Sequence, residues 1–181
     1  MKSRNLVSLL LAALALGALS LTVSACGYES DSKDVVEGEV VKLGDLKYQV
    51  IFSRFLNLND NEDSAYLVGQ SPPLKGSNYF GVFVEVQNKS EETQDLADSF
   101  SIEDADHVTY DAIPSESLYA FPAGGKVTSQ EPVPTPDSTP QQGPIEGSLV
   151  LFEIPETASQ NRPLTLSIPG PEGPAEVTLD L

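Results

Sequence analysis

Apolar and polar residues alternate in several short stretches of this chain, which is the pattern of β-strands buried on one face. Residues 46–52 place four apolar side chains on one face of a strand: Leu46, Tyr48, Val50 and Phe52. Residues 79–87 form the strongest such stretch, with one fully apolar face: Phe80, Val82, Val84 and Val86. Residues 35–43, the Gly44-Asp45 turn and residues 46–52 together predict a β-hairpin.

Further strands follow in the second half of the chain. Residues 145–154 are largely apolar on both faces, which predicts a central strand that Pro155 ends. Shorter stretches predict strands near residues 96–102, 107–113, 164–168 and 177–181. About eight strands and no helical periodicity predict an all-β fold, an immunoglobulin-like antiparallel β-sandwich. The chain contains no tryptophan and one cysteine, which excludes a true antibody-type domain.

Two polar segments predict loops between these strands. Residues 57–70 are rich in Asn and Asp, which favour turns. Residues 131–144 hold a series of prolines: Pro132, Pro134, Pro136, Pro140 and Pro144. Because proline cannot donate a hydrogen bond to a sheet, this segment predicts an exposed loop.

The first 25 residues have the pattern of an export signal. Lys2 and Arg4 precede a nearly continuous apolar stretch over residues 6–21, which is short for a membrane-spanning helix of about 20 residues. Residues 23–26, Val-Ser-Ala-Cys, match a lipobox, in which the cysteine thiol is acylated with palmitate-type chains and becomes the new N-terminus. We therefore expect lipidation of Cys26. An ordinary secretory signal and an uncleaved anchor are the alternatives.

Cleavage before Cys26 defines the expected organisation of the chain. Residues 1–25 are the lipoprotein signal peptide, residues 26–33 a lipidated flexible tether, and residues 34–181 the β-sandwich domain. Two or more acyl chains hold a protein stably in a bilayer. We therefore expect the protein at the cell membrane, lipid-anchored on its extracytoplasmic face. Since Cys26 is the only cysteine, the core must stabilise the domain without disulfides.

The mature chain is strongly acidic. The whole chain has 10 Lys and Arg against 27 Asp and Glu, and removal of Lys2 and Arg4 with the signal leaves 8 against 27, a net charge of −19. Such a surface repels nucleic acid, so we expect no nucleic-acid partner. Solubility, or adaptation to a salty medium, explains the excess of acidic residues. The alternative explanation is that the acidic surface binds a cationic partner or divalent ions.

Three stretches resemble a known family. They are residues 79–90 (YFGVFVEVQNKS), residues 100–110 (FSIEDADHVTY) and residues 147–155 (GSLVLFEIP). The second is similar to a family stretch that ends in D-x-x-G-x-x-Y but lacks the glycine, and the third has one extra residue before Phe152. The family is DUF4352, secreted bacterial domains of unknown function related in fold to mycobacterial immunoprotective extracellular antigens. Over about residues 34–181, the resemblance implies an envelope lipoprotein or secreted domain and brings no catalytic residues.

Residues for catalysis or metal binding are few. His107 is the only histidine, and the chain has neither a G-x-S-x-G elbow nor a glycine-rich phosphate loop, so we predict no enzyme and no cofactor. The best calcium candidates are alternating oxygen ligands: Asn57, Asn59, Asn61 and Asp63. They lack the glycine and distant Glu of an EF-hand, and Asn/Asp clusters also occur in ordinary loops. Asp104, Asp106 and Asp111 form a second acidic group.

These observations predict a function in broad terms. We expect a membrane-anchored extracytoplasmic lipoprotein that acts as a non-catalytic interaction or accessory module of the cell envelope. Its partners are the lipid bilayer, through acylated Cys26, and an envelope protein that binds loops or strand edges. The alternative is a lipoprotein that binds a small ligand or Ca²⁺, in which case the ligand raises the melting temperature.

Overall fold

Strands dominate the regular structure of residues 29–30 and 33–180, which are the residues that this computed structural model describes. In chain order they are β1 (Glu29–Ser30), β2 (Asp34–Val36), β3 (Val40–Leu43), β4 (Leu46–Leu56), β5 (Ser77–Asn88), β6 (Gln94–Asp95), β7 (Ser101–Glu103), β8 (Thr109–Asp111), β9 (Lys126–Val127), β10 (Pro132–Val133), β11 (Ser148–Pro155), β12 (Leu164–Ile168) and β13 (Ala175–Leu179). Short 3₁₀ helices span Asp63–Ala65 and Glu156–Gln160.

The strands form two main sheets that pack face to face, which confirms the predicted β-sandwich. The first sheet has the order β1-β3-β4-β5, and β5 pairs on its other side with both β10 and β11. The second has the order β2-β13-β12-β7-β8, and β6 pairs with β9 separately. Most pairs are antiparallel, as predicted, but β1–β3 and β2–β13 are parallel. Since β8 contacts β11, these strands form one edge of the sandwich, and β1 and β2 form the opposite edge.

Residues 35–43, predicted as a single strand, cross from one sheet to the other. The backbone N–H of Glu37 donates to the carbonyl of Thr178 in β13, whereas that of Gly38 donates to Val50 in β4, both at 2.8 Å. Gly38 has a φ of +89°, which glycine adopts without steric cost. Only β3 therefore forms the predicted hairpin with β4, and β2 belongs to the second sheet.

A β-bulge in β4 reverses the side to which its later residues point. Val50 and Phe52 pair with the consecutive residues Val84 and Phe83, so Ile51 is an extra residue. The Phe52 side chain is consequently 42% exposed. The prediction that Phe52 shares the core face is wrong, because one inserted residue exchanges the two faces of a strand.

Two clusters of apolar side chains stabilise the sandwich. The larger lies between the sheets and contains the predicted face of β5: Phe80, Val82, Val84 and Val86. The smaller covers the outer face of the first sheet and contains Leu56, Tyr66, Leu67, Tyr79, Phe83, Leu149 and Leu151. We call it the outer core. Because the two clusters bury opposite faces of β11, that strand is buried on both sides, as its sequence predicted.

The proline-rich segment 131–144 begins as part of the first sheet. Pro132 and Val133 form β10 and pair with Gln87 and Val86 of β5. Val133 is buried, as is Pro134, which follows it. The prediction of an exposed loop is wrong for these residues, because the alternation of proline with valine places an apolar side chain against the sheet edge, where prolines are tolerated.

The predicted export signal and Cys26 lie outside the described residues. Within the predicted tether, residues 29–30 form β1, so this part of the tether is paired with the domain. No helix among the described residues has the length and apolar character needed to cross a membrane.

Candidate functional site

A groove of about 520 Å³ lies at the β8–β11 edge of the sandwich. Parts of residues 98–100, 111–115, 120–123 and 149–151 line it. The loop over residues 113–121 is attached to β11 at both of its ends: the Ile113 N–H donates to the Leu151 carbonyl at 2.8 Å, and the Phe121 N–H donates to the Leu149 carbonyl at 2.7 Å. These hydrogen bonds fix the loop that forms one wall of the groove.

The floor of the groove is apolar and its rim is acidic. Phe100 and Phe121, both buried, pack edge to face with ring centroids 5.1 Å apart. Asp98 and Asp111 line the same groove and are exposed. An apolar floor provides affinity through burial, and a small number of charged groups selects what binds there.

Two further grooves adjoin this one on the same surface. A groove of about 350 Å³ shares Ser99, Phe100 and Asp111 with it, and a groove of about 580 Å³ shares Asp98. The larger of these two also contains Asp45 and Asp95, and Asp95 forms an ion pair with Lys126. Of the described residues, no Lys, Arg or His lines any of the three grooves. The grooved surface therefore attracts cations and repels anions.

The outer core holds the 113–121 loop in place. The Tyr66 ring packs between Phe83 and Tyr119, with centroid distances of 5.1 Å and 4.7 Å. The Ser117 hydroxyl donates to the Ala65 carbonyl at 2.8 Å and joins this loop to residues 57–76. Burial raises the pKa of Tyr66 above its usual value, so its hydroxyl stays protonated at neutral pH.

Residues 96–100 are positioned by a buried tyrosine of β4. The Ala97 N–H donates to the Tyr48 hydroxyl at 2.9 Å, and the Gly124 N–H donates to the Ala97 carbonyl at 2.9 Å. Burial raises the pKa of Tyr48, and the hydrogen bond from Ala97 acts in the opposite direction with a smaller effect. These contacts determine where Asp98 and Phe100 stand at the groove.

The predicted calcium ligands take part in local structure of the loop. Asp63 is buried, forms an ion pair with Arg54 and accepts a hydrogen bond from the Asn57 N–H at 2.8 Å. The Asn57 side chain accepts from the Asn59 N–H at 2.9 Å, while Asn61 lies exposed on the same loop. Calcium binding by this loop stays a prediction.

The second acidic group is divided between two environments. The buried Asp104 carboxylate accepts hydrogen bonds from the Val108 and Asp106 amides, both at 3.0 Å, and from the Tyr110 hydroxyl at 2.9 Å. These bonds, the one from Val108 first, lower the pKa of Asp104. Asp104 therefore stabilises a turn, whereas Asp111 lines the groove. Of the described residues, no three His, Cys, Asp or Glu are grouped so as to hold a metal ion.

His107 belongs to the same turn as Asp104. It is exposed, has a φ of +62°, and its Nδ1 lies 2.6 Å from a Glu103 carboxylate oxygen. The hydrogen bond to Glu103 raises the pKa of His107 above its usual value. The contacts of His107 account for its position as a turn residue.

The groove was not predicted from the sequence. The sequence predicted Phe100 only as a strand residue and Asp111 only as part of an acidic group. It indicated no functional role for Asp98 or Phe121. Their proximity depends on strand order in both sheets, which alternation along the chain does not specify.

Solved structures share the fold of this chain. An uncharacterized β-sandwich protein from Clostridium difficile 630 matches with a TM-score of 0.51 and 14% identity, over 83% of this chain and 96% of that one. The yjhA protein from Bacillus subtilis matches with a TM-score of 0.52 and 14% identity, over 80% of this chain and 99% of that one. At this identity the similarity shows the β-sandwich fold alone. No protein-family model and no curated protein matches the chain.

Proposed function

We propose that the protein is a DUF4352-like lipoprotein, anchored through Cys26 on the extracytoplasmic face of the cell membrane, where it acts as a non-catalytic binding module. The groove at the β8–β11 edge binds an extended segment of an envelope protein that carries a Lys or Arg beside an apolar residue. One observation carries the binding proposal: the groove has a floor of buried phenylalanines and a rim of aspartates, and none of the described residues that line it is basic.

The dimensions and charge of the groove suit such a segment. A volume of about 520 Å³ lies within the range of binding pockets and accommodates a few side chains. Phe100 and Phe121 offer an apolar surface to one side chain, and the Asp98 and Asp111 carboxylates pair with a neighbouring cationic one. The net charge of the mature chain increases the rate at which a cationic partner arrives.

The anchor is supported by the sequence. The basic start, the short apolar stretch and the Val-Ser-Ala-Cys motif at residues 23–26 match a lipoprotein signal, and the only cysteine of the chain stands at the position that is acylated. A lipid-anchored domain meets other envelope proteins at high local concentration, which favours weak and specific contacts.

Photo-crosslinking in the native host tests the groove. A photoreactive amino acid at Ser99 or Ser115 is expected to give an adduct whose crosslinked peptide contains Lys or Arg beside an apolar residue. The same amino acid at Thr165, on the outer face of the second sheet, gives the matched control. Asp98→Asn with Asp111→Asn is expected to reduce the adduct at least tenfold, whereas the pair Glu91→Gln with Glu172→Gln, which removes the same charge from exposed sites, leaves it unchanged.

Two results contradict the proposal. An adduct that survives Asp98→Asn with Asp111→Asn shows that the carboxylates do not select the partner. A rise in melting temperature with Ca²⁺ alone, lost in Asp63→Asn but not in the Asp98 and Asp111 variant, favours the ion-binding alternative at the Asn57–Asp63 loop.

A further inference from the structure

The proline-rich segment that follows β10 forms a loop attached to the outer core. At its start Val133 pairs with Val86 of β5, and near its end the Ile145 amide donates to the Tyr66 hydroxyl at 3.3 Å. Residues 134–146, between these two points, contain neither strand nor helix. The loop is therefore fixed at both ends, and its middle is free of sheet hydrogen bonds.

The composition of this part of the chain is unusual for a loop. Residues 128–140 contain five residues with a hydroxyl and four prolines: Thr128, Ser129, Thr135, Ser138 and Thr139, and Pro132, Pro134, Pro136 and Pro140. Serine and threonine combined with proline are the composition of O-glycosylated segments. Proline keeps the neighbouring backbone out of a sheet ladder, which leaves the hydroxyls beside it accessible.

Three of the five hydroxyls are engaged within the protein. The Thr128 hydroxyl donates to the Glu131 carboxylate, and the Ser129 hydroxyl donates to a backbone carbonyl at 3.1 Å. The Ser138 hydroxyl donates to the Thr135 carbonyl at 2.6 Å. These three side chains stabilise the turns of the loop.

The other two hydroxyls belong to Thr135 and Thr139, which differ from the first three. Both residues are exposed, and each is followed directly by a proline. Within the part of the chain that the structure describes, neither side-chain hydroxyl is hydrogen-bonded to another residue. The Ser138 N–H donates to the Thr135 carbonyl at 3.2 Å, so both threonines belong to the same turn region.

We propose that Thr135 and Thr139 are sites of O-glycosylation by a hexose from a polyprenyl-phosphate donor. The threonine oxygen attacks the anomeric carbon of the sugar and forms a new C–O bond. The bond between that carbon and the phosphate oxygen breaks, polyprenyl phosphate leaves, and the hydroxyl proton passes to a base of the transferring enzyme. This inference rests on the export of the chain in the proposed function and does not depend on what the groove binds.

Sugars at these positions leave the groove open. Residues 134–146 contribute nothing to the lining of the three grooves. A glycan is bulky and hydrophilic, and loops of this kind are preferred sites of proteolysis. Glycosylation therefore shields the loop, and we expect it to leave binding in the groove unchanged.

Mass spectrometry of the full chain, purified from membranes of the native host, tests the proposal. Electron-transfer fragmentation keeps the glycosidic bond and is expected to locate hexose on Thr135 and Thr139. Thr135→Val with Thr139→Val is expected to lose all of this mass, whereas Thr135→Ser with Thr139→Ser keeps it because the hydroxyls remain. Thr93→Val with Thr157→Val removes two exposed threonines that no proline follows, and this control is expected to keep the full mass.

The same spectra separate this proposal from the lipid anchor. An acylated chain without sugar, with phosphate in its place, or with sugar only at other residues overturns the glycosylation alone. Sugar on both threonines of a chain without acyl groups overturns the anchor alone, and a chain with neither modification overturns both. All variants are expected to melt at the same temperature, since none of the substituted threonines is buried.

The prolines provide a second test of the site. Pro136→Ala with Pro140→Ala keeps both threonines and is expected to reduce the fraction of chains that carry sugar at least threefold. Pro72→Ala with Pro73→Ala makes the same change in another loop and is expected to leave this fraction unchanged. An equal fraction in both double variants shows that the prolines do not make these threonines acceptors and overturns their part in the site.

Discussion

The two sheets of this sandwich share a core but differ on their outer faces. The outer face of the first sheet is covered by the loops over residues 57–76 and 113–121, and Phe83, Leu149 and Leu151 are buried there. The corresponding face of the second sheet carries a row of side chains that are partly or fully exposed: Val36, Thr178, Thr165, Glu103 and Thr109. The same architecture thus supports one covered face and one open face.

This difference shows how the fold builds a binding site. The loop that covers the first sheet is also the loop that forms one wall of the groove. Contacts in the outer core therefore stabilise the fold and shape the groove together. On the open face, Thr165 and Thr178 line none of the three grooves, and their substitution is expected to change the fold and the grooves less.

Removal of a large side chain from the outer core has the largest expected effect. Phe83 is completely buried, so Phe83→Ala is expected to lower the free energy of unfolding by about 3–5 kcal/mol. Thr165→Ala, on the open face, is expected to cost at most about 1 kcal/mol. Urea unfolding of the Cys26→Ala chain measures both. Equal losses for the two variants contradict the comparison of the two faces.

Loss of the hydrogen bond between the covering loops has an intermediate effect. Ser117→Ala removes the hydrogen bond to the Ala65 carbonyl, and we expect the free energy of unfolding to fall by about 1 kcal/mol. The Ser117 oxygen also accepts a hydrogen bond from the Tyr119 amide at 3.1 Å, so we expect faster hydrogen exchange at that amide. Ser101→Ala makes the same chemical change on the open face. If it accelerates exchange at Tyr119 as much as Ser117→Ala does, Ser117 does not hold the loop.

Substitution of a carboxylate on the open face is expected to have the smallest effect on stability, and this effect depends on pH. Partial burial, followed by the nearby charges of Glu103 and Asp34, raises the pKa of Glu176 in the folded protein above its unfolded value. The stabilising contribution of Glu176 is therefore complete below its unfolded pKa and is lost as the pH rises through the folded pKa. Glu176→Gln keeps the acceptor for the Ser167 hydroxyl, which lies at 3.0 Å, and removes the charge.

We therefore expect Glu176→Gln to increase the free energy of unfolding at pH 7 by a few tenths of a kcal/mol, an amount reduced by solvent screening. The gain is expected to disappear in acid, below the unfolded pKa. Urea unfolding at both pH values measures it. A gain that is equal at both pH values shows that charge on the open face is not the cause.

Alternation along the chain predicted the main strands but not every face. The predicted core face of β5 is buried in full, and residues 164–168 form β12 as expected. Phe52 is exposed because the bulge at Ile51 depends on pairing with β5, a partner that alternation within β4 does not include. The crossing at Gly38 was missed for the same kind of reason, since each half of residues 35–43 alternates correctly but pairs with a different sheet.

The sequence by itself determined the class of fold, the acidic character of the protein and the expectation of a lipid anchor. Each of these three properties follows from local pattern or from composition, and none of them requires knowledge of which strands are neighbours. Only the tertiary structure decided that Phe100, Phe121 and two aspartates meet at one groove, and that β1 enters the first sheet at the opposite edge. The physical reason is that strand order and sheet packing are set by burial of apolar faces across the whole chain, and they bring together residues that are far apart in sequence.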